Sequence, residues 1–203
     1  SGLQKISGEL EIGKLANSVE LTEEERVAVK GMHLLTMKSI LYVLNKKAGA
    51  KNLDEEKDER WHSLIAYLDG LKAHYVVVDA GVEQELRDLA HDDKDQFRRE
   101  FGVFDDGVDA LIKSCYDMLG LMTYFTTGVD ETRAWTIEKN STAPIAGTAI
   151  HTDFKDKFIR AEVITYNKLL EAGSYASARE KGWVRTEGKE YIVKDGDVIE
   201  FKI

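Results

Sequence analysis

Two fold classes lie end to end in this sequence: an α/β portion with helices around a parallel sheet, then a smaller α+β portion. Three observations predict them. Two short β-prone apolar runs, Ser39–Leu44 and Tyr75–Val78, alternate with helix-like segments, the rhythm of a doubly wound sheet. Near Gly120 the character changes, and several strand-like runs follow one another closely. In the last of these, Ile199, Phe201 and Ile203 alternate with Glu200 and Lys202, the period of a half-buried strand.

Residues 1–20 show no clear period. Thr22 and Glu25 form a capping box, so a helix should follow with Val27, Val29, Met32 and Leu35 among its apolar positions. Ser39–Leu44 is continuously apolar after its serine and ends at Asn45, which predicts a strand buried on both faces. The polar stretch Lys46–Lys57 reads as a loop into a helix whose apolar face is Trp61, Leu64, Ile65 and Leu68. Tyr75–Val78 is a second buried strand, and Asp79, Ala80 and Gly81 turn the chain into a helix containing Glu83, Glu85 and Leu86. Two strands are too few for a complete doubly wound sheet: either the sheet is small or part of it is missing. Residues 92–101 read as a charged helix with a solvated acidic start. Residues 107–119 read as an amphipathic helix with Val108, Leu111, Ile112, Cys115 and Leu119. Beyond Gly120, strands are expected at Arg133–Ile137, Phe158–Ile164, Glu190–Val193 and Val198–Ile203, with a short helix or irregular connection over 144–157. Such a compact α+β unit fits a ubiquitin-like β-grasp.

Composition excludes several classes. The chain has 203 residues, 43% hydrophobic, with a single proline, Pro144. That is too apolar for a disordered chain and unlike a collagen. Asp and Glu outnumber Lys and Arg by 37 to 28, and the net charge of -9 falls almost wholly on residues 1–120. An acidic chain is a poor general nucleic-acid binder, although residues 121–203 are close to neutral. The lone Cys115 excludes an internal disulfide and a Cys-rich zinc site, and it reads as a buried structural thiol. No apolar run approaches the roughly 18 residues of a membrane span, and no cleavable signal is visible. A cytoplasmic location with no membrane partner is expected.

The residues alone show no catalytic machinery. Gly8–Lys14 matches the spacing of a phosphate-binding loop, but Leu15 replaces the Mg²⁺-binding Ser or Thr. No buried strand precedes it, and Glu9 and Glu11 would repel phosphate, so it reads as a chance match. His33, His62, His74, His91 and His151 form no metal-binding pair, so no metal site is expected.

Several blocks resemble one family. Tyr124–Gly128, Glu131–Ile137, Ile150–Phe154, Phe158–Val163 and Glu187–Val198 look like the C-terminal part of the Obg-like ATPase family, also called YchF. In that family this part is the TGS domain, a β-grasp module. Leu21–Glu25 and Leu34–Asn45 resemble the segment running from the family's helical insertion back into its nucleotide domain. The resemblance implies a helical-insertion tail over 1–20, the distal part of a P-loop NTPase-type sheet over 21–119, and a TGS domain over 120–203.

The resemblance further implies a base-recognition side carried by Asn45, Lys46, Ala80 and Gly81, with ATP or GTP and Mg²⁺ as cofactors of the intact family protein. Two positions depart from the family pattern: Ala48 stands where the Asn-x-x-Glu motif has Glu, and Asp79 replaces a small residue. The family's P-loop lies upstream of the matched region, so it is a missing partner segment. This chain alone is expected neither to bind nucleotide tightly nor to hydrolyse it. The TGS resemblance implies contact with ribosomes or RNA, with Arg133, Lys155, Lys157, Arg160 and Arg185 as candidate phosphate contacts and Trp135, Phe154 and Trp183 as candidate base stackers. An alternative is a freestanding β-grasp interaction module carrying a decayed remnant of a nucleotide domain.

Overall fold

A computed structural model describes residues 1–87, 89–90, 93–94, 96–97, 107–128 and 131–203. They form two compact units, Ser1–Met118 and Leu119–Ile203.

The first unit opens with helix α1 (Gly2–Glu11) and helix α2 (Glu23–Lys30), joined through Ile6, Ala16 and Val29 with Leu21, Leu34 and Met37 around them. The capping box forms as the sequence demands. Glu25 N–H donates to Thr22 Oγ1 at 3.3 Å, and Thr22 N–H donates to Glu25 Oε2 at 3.2 Å. The phosphate-loop spacing lies across α1, with Gly8 in mid-helix and the turn delayed to Gly13 at φ 78°. Backbone amides committed to helical bonds cannot cradle a phosphate.

Strands β1 (Leu41–Asn45) and β2 (His74–Val78) pair in parallel, Leu41 opposite His74 and Asn45 opposite Val78. Helices α3 (Leu53–Glu56) and α4 (Glu59–Gly70) form the crossover. Asp58 accepts from the N–H groups of Arg60 and Trp61 and starts α4, whose Leu68 is buried with Trp61, Leu64 and Ile65 half-buried beside it. Helices α5 (Ala80–Leu86) and α6 (Gly107–Met118) follow. The expected burial of the first strand on both faces does not hold. No residue of β1 is buried, and Val43 is 48% exposed. Among the described residues β1 has a single neighbouring strand, and α6 packs chiefly on β2. Cys115 is half-buried rather than buried. The helix expected over 92–101 lies largely outside the described residues.

The second unit is a five-stranded sheet in the order β4-β3-β7-β5-β6. Its strands are β3 (Leu121–Thr127), β4 (Thr132–Glu138), β5 (Arg160–Thr165), β6 (Arg185–Glu187) and β7 (Asp197–Lys202). All neighbours are antiparallel except β3 with β7. Helices α7 (Ala143–Gly147) and α8 (Asp153–Asp156) join β4 to β5, and α9 (Tyr166–Ala172) and α10 (Tyr175–Glu180) join β5 to β6. One core gathers Met122, Tyr124, Ile137, Ala161, Val163 and Ile199 with Ala143 and Ala146 of α7. A second sets Ile164 and Val198 against Ala178 of α10 and the partly buried Phe125, Leu169 and Trp183. Tyr124 is fully buried, and its hydroxyl donates to Ala146 O at 3.0 Å. Burial pushes the ionisation of that phenol up.

Two strand expectations need correction here. Leu121–Thr127 is a strand beyond those expected, divided from α6 only by a two-residue turn at Leu119–Gly120 with Gly120 at φ 65°. The strand expected at Glu190–Val193 lies instead at Arg185–Glu187, and the apolar run makes a single bridge, Ile192 to Thr142. Among the described residues no helix is long and apolar enough to cross a membrane.

Candidate functional site

In an open parallel sheet, ligand sites form beyond the carboxyl ends of the strands, where the loops leave and the next helices begin. The register of β1 with β2 brings two such loops side by side, and Lys46 N–H extends the ladder by bonding Val78 O at 2.8 Å. Two side chains then staple the loops together. Asn45 Oδ1 accepts from Ala80 N–H at 3.0 Å. Asp79 Oδ2 accepts from Ala48 N–H, while its Oδ1 caps α5 by accepting from Gly81 and Val82 N–H at 3.0 and 3.1 Å. Asp79 is 6% exposed, so its carboxylate serves the fold. The Asn45 side chain is exposed, and its Nδ2 donates to nothing among the described residues.

Lys46 leans the other way, toward α3: its Nζ lies 3.4 Å from Asp54 Oδ2 and 3.3 Å from Glu55 Oε1. Partial burial works to lower its ionisation, but Asp54 and Glu55 outweigh that and hold the ammonium above the ordinary lysine range. Asn52 closes the loop, its Oδ1 accepting from Lys47 N–H at 3.1 Å and its Nδ2 donating to Lys47 O at 2.9 Å. Asn45, Lys46, Ala80 and Gly81 are thus gathered at one end of the sheet. They offer a free carboxamide and backbone groups, suited to reading the edge of a flat heterocycle. They offer no free carboxylate, because Ala48 ends in a methyl and Asp79 is occupied. Among the described residues no group of His, Cys, Asp and Glu is placed to hold a metal ion.

In the second unit the five candidate cations do not form one patch. Arg133 lies on β4, its guanidinium 4.3 Å from the centre of the Trp135 ring, and Trp135 Nε1 donates to Thr126 Oγ1 at 2.9 Å. Lys155 and Lys157 lie on and just after α8, and Lys157 pairs with Asp153 at 2.6 Å. Arg160 begins β5 opposite Lys202. Arg185 lies on β6, the far edge from β4, four strand spacings or roughly 19 Å from Arg133. It is committed to Glu187 at 3.0 Å and to the Tyr191 hydroxyl at 3.0 Å. Phe154 packs edge-on against Phe201 at 5.6 Å, and Trp183 joins the second core with Lys181 4.7 Å above its ring. Trp135 is half-buried.

Sequence reasoning missed the polar cluster beneath Arg185. The Tyr191 hydroxyl donates to Asp197 Oδ2 at 2.7 Å, and Lys194 N–H donates to the same atom at 2.9 Å. Asp197 is fully buried, and its Oδ1 has no hydrogen-bond partner. Burial and this bond raise the Tyr191 ionisation. The pair spans six positions with a charged turn between them, and no spacing rule marks the two as partners.

A family profile, YchF-GTPase_C, described as "Protein of unknown function (DUF933)", matches residues 121–203. The ribosome-binding ATPase YchF of Bacillus subtilis is 46% identical over 200 residues, 98% of this chain. The chain is homologous to the YchF family along nearly its whole length. The Pasteurella multocida YchF, also named a ribosome-binding ATPase, is 40% identical over 98% of this chain. A solved YchF GTPase from Schizosaccharomyces pombe superposes with a TM-score of 0.79 at 25% identity, covering 99% of this chain and 53% of its own. The chain spans about half the length of the curated YchF proteins it matches, 54% for both bacterial relatives.

Proposed function

We propose that these residues form the distal half of a YchF-type nucleotide-binding ATPase or GTPase that associates with ribosomes in the cytoplasm. The first unit supplies the base-recognition side of the site through Asn45, Lys46, Ala80 and Gly81. The second is a TGS β-grasp module that contacts the ribosome or RNA through Arg133, Lys155, Lys157, Arg160 and Arg185. The observation that carries the reading is the pair of stapled loops at the carboxyl ends of two parallel strands, with Asn45 Nδ2 free. The single neighbouring strand of β1 among the described residues supports a larger parent sheet. The order β4-β3-β7-β5-β6, with β3 and β7 parallel at the centre, supports the β-grasp assignment.

Phosphoryl transfer needs a backbone cradle, a lysine and a Mg²⁺-binding hydroxyl from a P-loop. The only spacing of that kind in these 203 residues begins inside α1 and keeps Gly8 to Glu11 helical. ATP and GTP with Mg²⁺ therefore belong to the parent protein, and these residues alone turn over neither. Protein-dependent hydrolysis by the purified chain would overturn this. Ribosome association is tested by co-sedimentation across a salt series. Basic contacts predict binding that weakens steeply with salt, and a flat response would remove them from the interface. Ala48 favours the second reading, a freestanding module with a decayed nucleotide remnant. Calorimetry with ATP and GTP on the protein joined to a P-loop segment separates the two, since a decayed site gives no heat.

A further inference from the structure

The first unit is strongly acidic, yet one cleft in it is lined by three fixed cations and no carboxylate. Its walls are Arg26, Lys30, His33 and Lys38, and its floor is Val29, Leu34 and Met37, around a volume of about 190 Å³. Arg26 and Lys30 stand four apart on α2, an arrangement that repels along a helix. Arg26, Lys30 and Lys38 make no ion pair among the described residues, although acids are plentiful on this unit. Helix-end stabilisation accounts for Lys30 and His33, which sit where α2 closes, but not for Arg26 or Lys38. His33 is held at φ 49°, a backbone conformation rarely adopted outside glycine, and this turn brings it to the cleft wall.

We propose that this cleft is a docking site for an acidic peptide segment that anchors one bulky aliphatic or aromatic side chain. Charge complementarity selects the sign, because three fixed cations face the opening and no carboxylate lines it. The volume is that of one large apolar side chain and is small for a nucleotide. The floor selects the chemistry. It contains no Phe, Tyr or Trp on which a base would stack, and Met37 is the adaptable kind of residue found at peptide-binding surfaces. Leu34 and Met37 are half-buried and Val29 is buried, so the floor is already formed. The site is separate from the strand-end loops and does not depend on nucleotide.

The test is fluorescence anisotropy on the full chain with a labelled synthetic peptide carrying a central Leu-Phe pair between runs of Glu. A labelled oligouridylate of equal length serves as the competing class. The peptide is expected to bind and to weaken as salt rises. Arg26→Glu/Lys30→Glu should lower its affinity at least tenfold. Lys168→Glu/Lys189→Glu, the same charge change on exposed positions of the second unit, should leave it within twofold. Circular dichroism confirms that each variant is folded. Preferential binding of the oligouridylate, equal loss in both double variants, or no peptide binding at low salt would each overturn the proposal.

Discussion

The carboxylate of Asp79 serves three backbone N–H groups in two different loops, and at 6% exposure water cannot take its place. Asp79→Ala strands those donors and removes the cap of α5. A loss of about 2–3 kcal/mol is expected in urea unfolding followed by far-ultraviolet dichroism, with Asp79→Asn recovering part of it. A change below about 0.5 kcal/mol would mean that the loops hold without the staple. Tyr191→Phe deletes one of the two bonds to the buried Asp197 Oδ2 and takes from Arg185 its hydroxyl acceptor. A cost of about 1–3 kcal/mol is expected in the second unit, because a buried carboxylate loses half its hydrogen bonding. At this scale the sequence was partly readable. Asn45 and Ala80 stood out as a motif, but the value of Asp79 did not. Its partners include Ala48, 31 positions away, and only the parallel register brings the two together.

At the scale of elements, α2 shows how a local signal becomes structure. Its capping box is readable in four residues and forms as read, because both bonds are local. Thr22→Ala should cost about 1 kcal/mol in thermal unfolding of the first unit. Glu25 adds a pH dependence. The bond from Lys5 at 2.7 Å, with the Thr22 N–H, holds its carboxyl below the ordinary glutamate value of 4.5. A depressed folded value stabilises above the unfolded one and is lost as pH falls through the folded one. The Tm of the first unit should therefore drop below about pH 4.5, and Glu25→Gln should drop less over the same interval. An identical acid response in both proteins would remove Glu25 from that role. Strands were harder to read than helices. Arg185–Glu187 is polar and pairs only because β5 lies beside it, while the more apolar Tyr191–Val193 finds one bridge. Pairing is decided by what is adjacent in the fold, which a short run of sequence does not encode.

For the whole molecule, the separate cores predict separate failures. Gly147 lies so close to Phe154 that an added Cβ would sit 2.7 Å from its Cβ, while Phe154 itself abuts Phe201. Gly147→Ala should lower the thermal transition of the second unit by the equivalent of about 1–3 kcal/mol and leave that of the first in place. A joint shift of both transitions would mean that the units unfold as one. The larger architecture was readable where helical periods were strong and where long blocks matched a family. The incomplete burial of β1 was not, because a continuous apolar run looks the same whether its neighbours are present or absent.

That open strand has a consequence for how the protein takes up deuterium. β7 pairs with β5 along its whole length and with β3 at Val198, so the amides around Val198 open only when the sheet itself opens. Among the described residues β1 is bonded on one side only, so every second amide of the strand has no strand partner. Uptake should therefore alternate along Leu41–Asn45 and be slowest in β7 around Val198, where both neighbours are paired. Binding of any strand beside β1 would be seen first as the disappearance of that alternation.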